Sequence, residues 1–164
     1  MKQTFKSLLS EKTSSIKEFR KLRDSVQSSN ITEIKHLTGS MHSLVASDVF
    51  LKLRKNVVVV CNDKNDAEDI SNDLALILED DDIIKLVEPR KTVKNDLDKS
   101  MDHHGWILEG LSRIIKNDSP TLIVTNPEVF DEKVPAVQSL FDHKIKVQKG
   151  KTYDFDNFTQ NLLL

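Results

Sequence analysis

The spacing of apolar residues changes along the chain and divides it into three parts. From residue 3 to residue 27, apolar side chains recur at steps of three and four, which predicts one amphipathic helix. The motif SSN at 28–30 ends this pattern. Short apolar runs then alternate with helical periods as far as about residue 142, and a further strand-like run opens the last part.

Five short runs are strand-like. They lie at 33–37, 57–61, 83–87, 121–125 and 144–148. The run VVVVC at 57–61 has no polar alternation, which predicts a central strand buried on both faces. Because helical periods separate the runs, the sequence predicts right-handed βαβ units. The expected fold is therefore α/β, with a parallel sheet flanked by helices.

Three helical periods lie between the predicted strands, and each has an apolar face. The faces are Met41, Leu44, Val45, Val49 and Leu53 in the first, Ala67, Ile70, Leu74, Ile77 and Leu78 in the second, and Ile107, Leu108, Leu111, Ile114 and Ile115 in the third. The polar segment 88–105 has no clear period and is predicted to be a surface excursion. After the last strand, a turn at 149–151 and a short helix with Phe155, Phe158 and Leu162 on its apolar face are expected.

The stretch GSMHSLVA, from Gly39 to Ala46, joins the first predicted strand to the first of these helices. In ATP-driven enzymes a phosphate-binding P-loop occupies such a junction, with the pattern G-x-x-x-x-G-K-[ST]. Only Gly39 matches, since Leu44, Val45 and Ala46 stand where the pattern has Gly, Lys and Ser or Thr. Val45 cannot neutralise a phosphate and Ala46 cannot hold magnesium, so we expect no nucleotide cofactor and no hydrolysis. Leu44 and Val45 are expected in the core instead.

No other motif predicts a catalytic or metal site. In Asp102-His103-His104 the adjacent histidines would point about 100° apart on a helix, so they cannot both hold one ion. The acidic run 79–82 lacks the alternating ligands of a calcium loop and is predicted to be a solvated turn. Cys61 is the only cysteine, which excludes internal disulfides, and it is expected to be a small buried apolar side chain.

Composition narrows the functional classes further. The formal net charge is −2 and the pI is about 6.2, values that exclude a wholly basic nucleic-acid-binding protein. No apolar run approaches the roughly 20 residues that a bilayer requires, and the N-terminus lacks the apolar core of a secretory signal. We therefore expect a cytoplasmic protein without membrane contact. One local basic face remains as a candidate for DNA contact, formed by Lys2, Lys6, Lys12, Lys17, Arg20, Lys21 and Arg23.

Five segments in a fixed order resemble a known arrangement. They read IKHLTGSMHSLVASDVF, VVVVCNDKNDAEDISNDL, LVEPRKTVKND, ILEGLSRIIKNDSPTLIVTNPEVFDEKV and HKIKVQKGKTYDFDNFTQNLL. Together they resemble the N-terminal region of the bacterial transcription-repair coupling factor (Mfd), which is itself similar to the first domain of the excision-repair helicase UvrB. The resemblance covers roughly residues 31–164.

The resemblance implies a RecA/helicase-like domain whose P-loop has degenerated, with GSMHSLVA as its remnant. It implies a UvrB-like α/β domain at 31–142 and the start of a second, small α+β domain of the UvrA-interaction type at 143–164. The basic amphipathic helix, at 1–30, precedes the region of resemblance. In the family this region has no catalytic role. It restrains the motor of a DNA translocase and recruits UvrA, so the implied partners are UvrA and other domains of the same translocase.

Two departures limit what the resemblance carries over. The family has an LPYD-like stretch after the third strand, where this chain reads TVKND. The surface that contacts UvrA lies mostly on the second small domain, which is expected to be cut off at Leu164, so no partner-binding residue is assigned. Two other classes stay open, namely a nucleotide-dependent enzyme with an atypical phosphate loop and a stand-alone DNA-binding module.

Overall fold

The structure, a computed structural model, describes residues 5–88, 105–134, 136–138, 147–155 and 159. Two compact units, Met1–Glu132 and Lys133–Leu164, divide the chain. In the first unit the helices are α1 Phe5–Ser15, α2 Lys17–Ser28, α3 Met41–Leu53, α4 Lys64–Ala75 and α5 Gly105–Lys116. The strands are β1 Val57–Val60, β2 Ile83–Leu86 and β3 Leu122–Thr125, and 3₁₀ helices lie at Asp80–Asp82 and Pro127–Asp131.

The three strands form one parallel sheet in the order β1–β3–β2, so β3 is central. Val57, Leu122 and Ile83 lie side by side in this register, as do Val60, Thr125 and Leu86. Helix α3 precedes β1. Helix α4 connects β1 to β2 and helix α5 connects β2 to β3, as expected of crossover connections between parallel strands. The predicted coarse fold, an α/β fold with a parallel sheet flanked by helices, is confirmed.

The sheet has two faces with different cover. The first face carries Val57, Val59, Leu122, Val124 and Ile83, and the second carries Val58, Val60, Ile123, Thr125, Ile84 and Leu86. Phe50 of α3 and Ala67 and Leu74 of α4 pack on the first face in the larger core cluster. Ile107 of α5 packs with Leu86 on the second face.

The single helix predicted for residues 3–27 is wrong. The chain forms α1 and α2, and Ile16 between them is extended, with φ −76° and ψ 126°. Ser15 precedes the break, and its hydroxyl donates to the carbonyl of Lys12 at 2.8 Å. Such local bonding competes with helical pairing and weakens a helix at this position. The predicted helix end is confirmed, because α2 ends at Ser28, the first residue of SSN.

Two of the strand predictions are also wrong. Residues 33–37 form no strand, and His36 has φ +65°, a left-handed conformation that a strand ladder does not accommodate. Residues 57–60 of the run 57–61 form a strand, but it lies at the edge of the described sheet and is partly buried on the first face alone. Val58 and Val60 on the second face are 54% and 53% exposed. On this face α5 packs with Leu86 of β2 and Ile123 of β3, and neither Val58 nor Val60 belongs to that cluster.

Several predictions fall wholly or partly outside the described residues. Asp102, His103, His104 and most of the segment 88–105 lie outside them, as do Phe158, Leu162 and residues 144–146 of the fifth predicted strand. Val147 and Gln148, which are described, are not in a strand. In the second unit the predicted turn at 149–151 is confirmed, since Lys151 donates its backbone N–H to Gln148 at 3.2 Å and Gly150 has φ +88°.

The acidic run 79–82 is a solvated turn, as predicted, and forms the 3₁₀ helix Asp80–Asp82. None of the helices in the described part of the chain is long and apolar enough to cross a membrane.

Candidate functional site

The predicted P-loop remnant is a tight turn that leads into α3. Gly39 has φ +53°, a left-handed conformation that glycine adopts without strain. Met41 donates its backbone N–H to Thr38, and Leu44 donates to Ser40, which closes the first turn of the helix. The imidazole Nδ1 of His42 lies 3.1 Å from the carbonyl oxygen of Gly39. The turn therefore has one glycine and hydrogen bonds with itself.

A groove of about 860 Å³ lies beside this turn, between α3, β1 and α4. Its lining combines apolar and acidic side chains: Leu37, Gly39, Ser40, His42, Val45, Ala46, Val58, Val59, Val60, Cys61, Asn62, Asp66, Asp69, Ile70, Asn72 and Asp73. Three of the four residues at key P-loop positions, Gly39, Val45 and Ala46, line it. Leu44 does not.

Helix α4 supplies an acidic wall. Asp66, Asp69 and Asp73 stand at steps of three and four residues, so they lie on one side of the helix. Asp73 accepts a hydrogen bond from the buried Ser43 hydroxyl of α3 at 3.3 Å, and Asp66 accepts one from the Asn62 amide at 3.1 Å. Among the described residues that line the groove, there is no lysine or arginine. The site consequently has negative electrostatic potential.

The predicted apolar face of α3 is wrong in detail. The helix buries Ser43, Ser47, Asp48 and Phe50, while Leu44 and Val45 are only half-buried. This rotation has a polar cause, because Asp48 must reach Arg23 of α2 and Ser43 must reach Asp73 of α4. Val45 thus faces the groove and does not belong to the core.

In the basic face predicted for residues 2–23, Lys2 and the side chain of Lys6 lie outside the described part of the chain, and one of the other five residues is not exposed. Lys12, Lys17, Arg20 and Lys21 are exposed, but Arg23 turns inward and its Nη1 lies 2.6 Å from Oδ2 of Asp48. The side chain of Asp48 is 1% exposed, so this ion pair fixes α2 to α3 away from solvent. Its second oxygen, Oδ1, has no hydrogen-bond partner among the described residues.

Cys61 follows β1 directly and is buried, as predicted. Burial raises the pKa of its thiol, and the negative charges of Asp66 and Asp63 raise it further. Asp63 itself caps α4, since its carboxylate accepts the backbone N–H groups of Asn65 and Asp66 at 2.8 and 3.0 Å. A thiol with a raised pKa is a poor nucleophile at neutral pH.

Sequence reasoning missed the acidic wall and the exposed valines. The wall has a readable signal, the aspartates at 66, 69 and 73, which share one side of any helix formed there. The exposure of Val58 and Val60 has no signal in the sequence, because it depends on where α5 packs. In the described residues, no group of three His, Cys, Asp or Glu side chains is placed to hold a metal ion.

The fold and the groove define the chain as an α/β domain with a parallel sheet and an acidic, partly apolar groove beside α3. It matches no model of a known protein family, and neither the curated proteins nor the solved structures gave a match.

Proposed function

We propose that this chain is a non-catalytic interaction module of a DNA-repair translocase, with the role of the N-terminal region of the transcription-repair coupling factor that its sequence resembles. The observation that carries the proposal is the chemistry of the groove at the P-loop position. Val45, Ala46 and three aspartates line it, and no basic side chain of the described residues does.

The physical argument concerns the charge of a nucleotide. A triphosphate needs a lysine for its outer phosphates, backbone N–H groups from a glycine-rich turn, and a hydroxyl that helps to hold magnesium. Val45 and Ala46 supply neither charge nor hydroxyl. Asp66, Asp69 and Asp73 would repel the phosphates across the same groove, so binding of a nucleotide is disfavoured twice.

The proposed partners are UvrA and the other domains of the same translocase, as the resemblance implies. An α/β domain that cannot bind phosphate can still bind partner proteins through its surface. DNA contact through the exposed Lys12, Lys17, Arg20 and Lys21 is a subsidiary proposal, and it excludes Arg23, which is engaged with Asp48.

Two titrations of the full chain test the main proposal. The purified motor domains of a coupling-factor translocase should bind the chain in calorimetry, whereas magnesium-ATP should give no heat at the same concentrations. A working ATPase is the positive control for the nucleotide. Absence of binding to the motor domains would contradict the repair proposal, and micromolar binding of magnesium-ATP would contradict the non-catalytic one.

A variant sharpens the nucleotide test. Val45→Lys/Ala46→Ser restores two of the missing P-loop residues, and we expect no ATP turnover, because the acidic wall and the single-glycine turn remain. Val45 faces the groove, so the lysine has room and the variant should melt close to the wild type. Measurable ATP turnover by this variant would refute the proposal that the groove is non-catalytic for reasons besides these two residues.

For the subsidiary proposal, duplex DNA binding is measured over a salt series. Neutralising several phosphates gives a slope of several units in log affinity against log salt, whereas a merely solvated basic face gives none. The charge reversals Lys17→Glu and Lys21→Glu should flatten the slope if α2 makes the contact.

A further inference from the structure

Among the described strands, none pairs with half of the backbone hydrogen-bonding groups of β1. The backbone N–H of Val57 donates to Thr121 at 3.1 Å, and that of Cys61 donates to Thr125 at 2.8 Å. Alternate residues of a strand direct their N–H and C=O groups to opposite sides. The groups of Val58 and Val60 therefore point away from β3, towards an edge where no described strand pairs with them.

The groove runs along this free edge. Val58, Val59 and Val60 all line it, and consecutive residues of a strand line the same groove only where it follows the strand's side. An unpaired strand edge next to a groove is the geometry in which an extended peptide adds to a sheet.

The two sides of the groove differ in chemistry. On the second face of the sheet, Val58 and Val60 offer half-exposed apolar side chains. On the first face, α4 presents Asp66, Asp69 and Asp73. Because side chains of an added strand alternate between the two faces, such a strand would place every second residue against valines and the others near carboxylates.

We propose that the free edge of β1 binds an extended basic segment of a partner protein, which adds to the sheet as a further strand. The segment alternates apolar residues with lysine or arginine. Its backbone pairs with Val58 and Val60, its apolar side chains continue the valine surface, and its cations neutralise the three aspartates of α4.

The charge of the groove selects this occupant over others. Nucleic acids and phosphate-bearing ligands are repelled by three carboxylates with no cation among the described lining residues. A helical ligand has its backbone N–H groups engaged internally, so it cannot satisfy the edge of β1. The inference goes beyond the proposed function and stands without it, since it rests on the edge and the aspartates alone.

The test uses the full chain and a short fluorescent peptide of alternating valine and lysine. Anisotropy should show micromolar binding that weakens as salt is raised, because exposed charges are screened. A matched peptide of valine and glutamate should not bind. A third peptide, N-methylated at the residues that would donate to β1, keeps the charge and removes the backbone bonds, and it should lose binding.

Two variants locate the site. Asp69→Lys places a cation in the exposed middle of the acidic wall and should weaken binding about tenfold. Asp24→Lys makes the same change on the exposed surface of α2 and should leave binding unchanged. Val60→Pro should abolish binding, since it removes an N–H that faces away from β3 and costs the sheet no hydrogen bond.

Three results would overturn the proposal. Binding of the glutamate peptide at equal affinity would exclude the acidic wall as the selector. Equal binding of the N-methylated peptide, a test that leaves the protein unaltered and does not depend on Val60→Pro folding, would exclude strand addition. Dimerisation of the chain in sedimentation, removed by Val60→Pro, would show that the edge is occupied by a second copy instead of a basic partner segment.

Discussion

Strands β1 and β3 have nearly the same kind of sequence and opposite surroundings. β1 reads VVVV and β3 reads LIVT, so both are short, apolar and rich in β-branched residues. In β3, Leu122 and Val124 are fully buried and Thr125 is buried beside them. In β1, Val58 and Val60 are about half exposed. The burial of a strand is therefore decided by the elements that pack on it. An apolar composition allows burial on both faces but does not require it.

The neighbours of the two strands differ on one face. On the first face, residues of both strands share one core cluster with residues of α3 and α4. On the second face Ile123 of β3 packs against the cluster around Ile107 of α5, whereas β1 receives no cover from α5. The structure can thus be disturbed on each face separately, and four experiments exploit this.

The largest effect is expected on the first face, at Leu74 of α4. Its side chain is fully buried in the core that underlies both strands, and Leu74→Ala should lower the free energy of unfolding by about 3 kcal/mol, from lost burial and the cavity left behind. Leu76, two residues later, is 65% exposed and provides the matched control. Leu76→Ala should cost under about 0.5 kcal/mol. Urea denaturation of both variants gives the values, and equal losses would refute the assigned orientation of α4.

The next effect concerns the cover of the second face. A Cβ added at Gly110 of α5 would lie 2.6 Å from Cδ1 of Leu86, which is buried in β2. Gly110→Val should therefore cost about 2 kcal/mol through overpacking, even though glycine is a poor helix former. Gly105 begins the same helix, and no described atom lies within 4 Å of a Cβ added there, so Gly105→Val should be close to neutral. Thermal melting compares the pair, and a stable Gly110→Val would mean that α5 does not rest closely on β2.

A third experiment makes the same substitution in both strands. Val124→Ala in β3 removes two buried carbons and should cost about 1.6 kcal/mol, at roughly 0.8 kcal/mol for each. Val60→Ala in β1 removes carbons that already meet solvent, so its cost should stay below about 0.5 kcal/mol. Chemical denaturation measures the difference between the two variants. A loss at Val60 as large as that at Val124 would show that something covers β1 in solution.

The difference between the strands also shows which features of the fold can be predicted from the sequence. The α/β class, the strands at β1, β2 and β3, and the buried side of α4 all follow from hydrophobic period. The failures have local causes. A serine hydroxyl at Ser15 and an extended Ile16 broke the first helix, and a left-handed His36 prevented the first strand, because hydrophobic period does not register single backbone conformations.

The candidate site could be predicted from the sequence only in part. The missing lysine and hydroxyl at Val45 and Ala46 are visible in the sequence, and they remain the basis of the proposed function. The position of Val45 is not visible, since the rotation of α3 is set by the buried pair Arg23–Asp48 and by Ser43 bonding to Asp73. Polar contacts between distant residues leave no period, and the groove depends on them.

The smallest effect belongs to Cys61, which follows β1 and is buried in the core cluster of the first face. Burial, then Asp66 and Asp63, raise the pKa of this thiol, so the folded chain holds the proton to a higher pH than the unfolded chain does. The resulting stabilisation is complete below the pKa of the unfolded thiol, near 8.5, and is lost as pH rises through the higher folded value. Relative to Cys61→Ala, the wild type should therefore lose stability above about pH 8.5. Urea denaturation of both chains across this range measures the loss, and other titrating groups cancel in the difference. A constant difference would show that solvent reaches Cys61, and β1 would then be open on both faces.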